Sequence, residues 1–131
     1  MSFLLDTDTC SAHLKTGVLS HRLIQHSGRL HISVVTLAEL YMWVLRRKTP
    51  PHRLQGVLDL LNDAVVLDVT PDVARPFGEV QAALLDAGQQ LPPMDLLIGA
   101  TALLHGLTVV THNRHHFSRI PGLLPDDWLV P

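Results

Sequence analysis

MDLLIGATALLHGLTVVTHN, Met94–Asn113, holds a helix, its cap and a buried strand in one short stretch. Met94–His105 is predicted helical, and Gly106 stands in the capping position, where the backbone turns left-handed. Leu107–Val110 is apolar and β-branched, the profile of a buried strand. A helix leading straight into such a strand is the unit of an α/β domain with a mostly parallel sheet. The same alternation runs upstream. Ser2–Leu5 reads as a first strand ending at Asp6, and Leu30–Ser33 as a second. Val34–Arg47 is a predicted helix, with Leu37, Leu40, Tyr41, Val44 and Leu45 at helical spacing. Thr49-Pro50-Pro51 ends it and starts another helix to about Asn62, followed by a third strand at Ala64–Val69. A helix is expected from Pro71 to Gly88, irregular near Pro76, with Gly88–Pro93 as a linker. Downstream of the fourth strand, THNRHHF (Thr111–Phe117) reads as a polar loop, and Trp128-Leu129-Val130 as a further edge strand. The expectation is one α/β domain over residues 1–131, with a parallel sheet of four or five strands flanked by helices.

Composition narrows the class. With 131 residues, 47% hydrophobic and 17% charged, the chain suits one compact domain and not a disordered or fibrous one. No apolar run approaches the roughly 18 residues a membrane span needs, and Phe3-Leu4-Leu5 is interrupted by Asp6. The expectation is a chain without membrane association. Cys10 is the single cysteine, so no internal disulfide forms, which fits a cytoplasmic location. A formal charge of −2 argues against coating nucleic acid by bulk electrostatics, so any phosphate must be held locally.

In parallel α/β sheets, ligands bind at the carboxyl ends of the strands. Asp6 and Asp8 follow the first strand, Glu39 lies in the helix after the second, Asp95 opens the helix before the fourth, and Thr111, His112 and Asn113 follow the fourth. Each acid has a plainer reading: Glu39 as an exposed helix glutamate, Asp6 and Asp95 as helix caps. Ile98, Gly99 and Ala102 share a face with Asp95 and let that helix lie close to a neighbour, which would bring Asp95 toward the sheet. If Asp6, Glu39 and Asp95 converge, two carboxylates about 4 Å apart repel by about 4 kcal/mol at an effective dielectric near 20. A cation or a shared proton must resolve that, and like charges are expected to raise at least one carboxyl pKa. An all-oxygen donor set suits Mg²⁺ or Mn²⁺ with waters completing the shell. Cys10 lacks an activating arrangement and reads as a small buried residue.

Taken in order, LLDTDTC (Leu4–Cys10), ISVVTLAEL (Ile32–Leu40), PMDLLIGATALLHGLTVVTHNRHHF (Pro93–Phe117) and IPGL (Ile120–Leu123) resemble the PIN-domain ribonucleases, most closely the VapC-type toxins of toxin–antitoxin pairs. The resemblance implies a three-layer PIN-like fold and an endoribonuclease using Mg²⁺ or Mn²⁺. It places Asp6, Glu39 and Asp95 at the metal-binding and catalytic acid positions. Thr7, Asp8, Ser33, Thr36 and Thr111 take the supporting polar positions. It also implies an RNA substrate, a cognate antitoxin and a homodimer, for which Tyr41, Met42 and Trp43 are the candidate core or dimer surface. The chain departs from the pattern where many members carry a fourth acid: Asn113, counted with the catalytic set, and His116 stand there. Asn113 can hydrogen-bond but adds no charge, so one metal ion is better supported than two.

Arg46, Arg47 and Lys48, with Arg53, read as a helix C-terminus that is also a candidate contact for RNA or for an acidic partner segment; Arg114, Arg119 and His116 offer another RNA contact. His112, His115 and His116 lack the companions a structural zinc site needs. Two rivals stand beside the nuclease. DTDTC (Asp6–Cys10) nearly reproduces the nucleophile loop of haloacid-dehalogenase phosphatases, although the only lysines, Lys15 and Lys48, do not follow strands as its phosphoryl clamp requires. The other is a PIN-like module that binds RNA or protein without cutting.

Overall fold

The structure is a computed structural model that describes residues 1–130; Pro131, the end of the expected domain, lies outside the described residues. Four strands, β1 (Phe3–Leu5), β2 (Leu30–Ser33), β3 (Val65–Leu67) and β4 (Thr108–Val110), form one sheet in the order β3-β2-β1-β4. All pairings are parallel, with Leu4 beside His31 and Val109, and Ile32 beside Val66. The helices are α1 (Thr7–Thr16), α2 (Ser20–Gln25), α3 (Val34–Val44), α4 (His52–Asp63), α5 (Ala74–Asp86), α6 (Pro93–His105) and α7 (Arg114–Phe117). Strand side chains alternate between faces, and here both faces are covered. Phe3, Leu5, Ile32 and Val110 join Leu40, Val57 and Leu60 in one core, while Leu4 and Val109 join Leu84, Leu96, Ile98 and Phe117 in the other. Helix, sheet and helix thus make the three layers.

Several boundaries differ from the sequence expectation. Residues 7–25 hold two helices where none is anticipated: Thr7–Thr16 is largely polar, and its ends are set by the Asp6 cap and by Gly17 at φ 69°. Helix α3 stops at Val44 rather than Arg47 because the Thr49 hydroxyl takes the Trp43 carbonyl at 2.9 Å, and Leu45, expected in the apolar stripe, is exposed. Strand β3 is shorter than Ala64–Val69, and Pro71–Val73 is a 3₁₀ turn ahead of α5. THNRHHF is not simply a loop, since burial of Phe117 winds Arg114–Phe117 into a helical turn. No edge strand forms at Trp128-Leu129-Val130: the tail makes a single parallel bridge, Val110 to Asp126. Beyond it, the backbone N–H groups of Asp127 and Leu129 donate to the Asp126 and Asp127 carboxylates, bonds that compete with a ladder, and the Trp128 indole N–H donates to Asp126. Trp128 buries its ring against Phe3 and His26 instead.

Two devices place α6. The Gln81 amide donates to Leu91 O at 2.9 Å and accepts from Leu91 N at 3.3 Å, holding the linker that enters the helix. Farther along, Gly99 is fully enclosed: a Cβ there would run into Ile120 Cδ1 and stand 3.4 Å from Leu123 Cδ1. Alanine favours a helix by about 1 kcal/mol over glycine, but overpacking a filled core costs about 1–3 kcal/mol. Gly99→Ala is therefore expected to lower stability by about 1 kcal/mol, and Gly99→Val by more. Thermal unfolding followed by circular dichroism checks this; an alanine variant melting above the wild type would mean that α6 does not need the close approach.

Candidate active site

Asp6 leaves β1 with its backbone N–H bonded to Val110 O at 3.0 Å, at the carboxyl end of the sheet. Its carboxylate caps α1, accepting from Thr9 N at 2.9 Å, and also meets the Thr111 hydroxyl. It is thus a cap as well as a candidate site acid. At 4% exposure it is nearly enclosed. Burial pushes its pKa up, the bonds from Thr111 and Thr9 pull it back, and the charge of Asp8 adds a smaller upward push. An acid so enclosed and so bonded is poorly presented as the open nucleophile a phosphatase loop requires. Cys10 is buried, and burial pushes its thiol far above the ordinary value, which removes it as a nucleophile.

Glu39 is half-buried on α3 rather than free in solvent. Thr7 Oγ1 lies 2.6 Å from Glu39 Oε1 and 3.1 Å from Thr36 Oγ1. A hydroxyl has one proton, so Thr7 donates it to the carboxylate and uses a lone pair toward the buried Thr36. Ser33, also buried, caps α3 by accepting from Val35 N at 3.0 Å. Its hydroxyl therefore fixes the helix that carries Glu39.

Asp95 is in the first turn of α6, but it is no cap. Pro92 holds that position, Pro93 follows, and no side-chain capping bond forms. Half-buried, Asp95 has a raised pKa, owed first to burial; His116 pulls it down, and the charges of Asp8 and Glu39 push it up. Like charges push both carboxyls up, as expected, but desolvation is the larger cause for Asp6 and for Asp95. Asp8, placed among the supporting residues by the sequence, lies within electrostatic reach of both.

Asn113 enters through Asp8 rather than Asp6, donating from Nδ2 to Asp8 Oδ2 at 3.1 Å, while its own N–H bonds to Thr111 Oγ1 at 2.9 Å. His116 Nδ1 stands 3.9 Å from Asp95 Oδ2 and is a buried nitrogen without a hydrogen-bond partner. The neighbouring histidines turn elsewhere: His112 pairs with the buried Asp127 at 2.9 Å, and His115 with Arg119 at 3.0 Å. Arg114 is exposed on α7, while Arg46, Arg47 and Lys48 line a separate hollow with Trp43 and Thr49. Of Tyr41, Met42 and Trp43, only Met42 is largely exposed; the other two pack on the core. Thr9 and the His112–Asp127 pair escaped the sequence reading, because nothing local distinguishes Thr9 from its neighbours and Asp127 is remote in the chain.

The donors around Asp6, Asp8, Glu39 and Asp95 are oxygens. Among the described residues no three His, Cys, Asp or Glu side chains close into a cage able to grip an ion unaided. Such a set fits a hard, partly hydrated cation: Mg²⁺ keeps several waters and takes only one or two carboxylates directly. It does not fit zinc.

Comparison with known proteins finds relatives that align along nearly the whole chain. The tRNA(fMet)-specific endonuclease VapC of Salmonella typhimurium is 33% identical over 98% of both chains. Ribonuclease VapC2 of Haemophilus influenzae is 29% identical over 98% of this chain and 99% of its own. The VapC-like fold recurs in the crystal structure of DNA-bound VapBC from Salmonella typhimurium, at TM-score 0.91 and 33% identity over 98% of each chain. The PIN-domain sequence profile matches residues 3–123, from the first strand to the loop that packs on Gly99. With the profile spanning Asp6, Asp8, Glu39 and Asp95, this chain belongs to the PIN-domain family.

Proposed function

We propose that this chain is a metal-dependent endoribonuclease, the toxin of a toxin–antitoxin pair, hydrolysing RNA phosphodiesters. The observation that carries this reading is the delivery of acids from separate elements, Asp6 from the end of β1, Glu39 from α3 and Asp95 from α6, with Asp8 electrostatically coupled to Asp6 and Asp95. Relatives named as ribonucleases, and the VapBC assembly among the structural neighbours, support the activity and a cognate antitoxin partner. A homodimer extends the same reading, with the exposed Met42 at its candidate surface. A module that binds without cutting would have no use for mutually repelling carboxylates, half-buried at a cost in stability.

Asp6, Glu39 and Asp95 are the residues that would hold Mg²⁺ or Mn²⁺, which when bound acidifies water for attack at phosphorus and offsets charge on the phosphate. The remaining residues prepare those acids. Thr7 fixes a Glu39 oxygen, Thr9 and Thr111 fix Asp6, and Asn113 restrains Asp8. His116 stands 3.9 Å from Asp95 and pulls the pKa of that acid down, favouring its charged form.

Purified protein is expected to cleave RNA endonucleolytically with Mg²⁺ or Mn²⁺ and to stop with EDTA. Asp95→Asn should lose at least a hundredfold in turnover with an unchanged melt, because the amide preserves shape and removes charge. Equal turnover by the variant on bulk tRNA would refute the assignment of Asp95.

A second expectation concerns stability. Folded Asp6, its pKa raised by burial, binds its proton more tightly than the unfolded chain does. Stability therefore falls as pH rises through the window above the ordinary value of 3.8. Asparagine caps as well as aspartate and does not ionise. Metal-free Asp6→Asn should melt at or above the wild type at pH 7, by about 1 kcal/mol or about 3 °C, with the difference closing toward pH 4. Millimolar Mg²⁺ should raise the wild-type melt more than the variant's. If instead the metal-free variant melts several degrees lower and Mg²⁺ shifts both alike, Asp6 is a structural cap only.

A further inference from the structure

Half of the lysines and arginines of this chain, Lys15, Arg46, Arg47, Lys48 and Arg53, gather at the C-terminal end of α3, although the whole carries a net charge of −2. None of the five takes part in an ion pair among the described residues. Trp43 stands at their centre, with Lys15 Nζ 5.4 Å and Arg53 Cζ 5.7 Å from its ring centroid. Arg53 is anchored further by donating to the Leu14 carbonyl at 2.6 Å. Cations over an aromatic face are held in place by its quadrupole, so the indole serves as their pedestal. With its ring already engaged by side chains of this chain, Trp43 is not a free platform for a stacked base.

Two surface hollows meet at this tryptophan. One is lined by Trp43, Arg46, Arg47, Lys48 and Thr49 and contains no carboxylate. The other includes Thr7, Lys15, Glu39 and Trp43, and so reaches the candidate active site. From Glu39 to its last helical residue, Val44, α3 rises about 7.5 Å at 1.5 Å per residue, and Arg46 follows beyond that end. Positive charge thus begins with Lys15 in the hollow that holds Glu39 and continues into the hollow of Arg46, Arg47 and Lys48.

We propose that the two joined hollows form a phosphate track, in which Lys15, Arg46, Arg47 and Lys48 hold the backbone of a single RNA strand on one side of the bond to be cut. This rests on the ribonuclease reading above and adds the path of the substrate. Unpaired like charges that converge on one surface call for a polyanion, and the Arg46 hollow has no carboxylate to repel one. Contacts of this kind position the strand without reading its sequence.

The test uses Arg46→Ala/Arg47→Ala against a charge-matched control, Arg29→Ala/Arg75→Ala, all four residues being exposed. A fluorescent twenty-nucleotide oligouridylate is titrated in EDTA across a KCl series. The expected result is at least a tenfold loss of affinity near physiological salt for the first pair. Its log–log salt slope should flatten by about 1.4, at about 0.7 per lost phosphate contact. The control should change neither by as much. Equal slopes for both pairs would overturn the track, and so would unchanged RNA binding joined to weaker capture of the purified cognate antitoxin. Cleavage of bulk tRNA by the wild type with Mg²⁺ is scored separately: if it proceeds while the slopes are equal, only the track fails, and if wild type neither binds nor cuts, the ribonuclease reading and the track fall together.

Discussion

A carboxylate buried at the exit of the central strand organises the rest of this molecule. Asp6 ends β1, ties its backbone to β4 through Val110 O, and caps α1 through Thr9 N–H. Those bonds orient the acid and begin the helix that carries Thr7, Asp8 and Lys15. An ionised group in this setting is unfavourable by itself, which is why its pKa rises even though it receives hydrogen bonds. The fold tolerates this because a cap and a strand junction are needed there in any case. One side chain serves the architecture and the site together, so the choice between cap and catalytic acid was never exclusive.

Asp95 reaches the site by different means. It carries no cap, and its position follows from packing: α6 is seated by the Gln81 clamp at one end and by the enclosed Gly99 farther along. Phe117, Ile120 and Leu123 press against that glycine, so the segment after β4 sets the depth of α6. The same segment brings His116 to Asp95 and Asn113 to Asp8. Where a fourth carboxylate would add repulsion, this chain has an amide that bridges to an existing acid. The electrostatic load of the pocket is correspondingly lighter.

The surface around this pocket is polarised. Acids collect at the carboxyl end of the sheet and cations at the far end of α3, with Trp43 between them holding two of the cations. For a polyanionic substrate the acids repel until a cation neutralises them, whereas the basic end attracts at any metal occupancy. Capture and chemistry are thereby assigned to neighbouring surfaces, the basic one beginning where α3 ends.

Local sequence was sufficient for everything governed by neighbours along the chain. The capped α6 with Gly106, the short apolar strands and their mostly parallel pairing follow from periodicity and turn chemistry, and the ordered motifs single out the three acids of the proposed site. The polar helix α1 was hidden because its stability comes from a cap and from burial against α3 and α4, and its residues show little amphipathic pattern of their own. The tail misled for the opposite reason: Trp128, Leu129 and Val130 have strand propensity, but burial of the indole and the backbone N–H bonds to the Asp126 and Asp127 carboxylates outweigh it. Which oxygens meet, that Asn113 joins Asp8, that His112 turns to Asp127, and that desolvation exceeds like-charge repulsion were decided only in three dimensions. Those outcomes depend on distances and burial between segments up to a hundred residues apart, which no local pattern encodes.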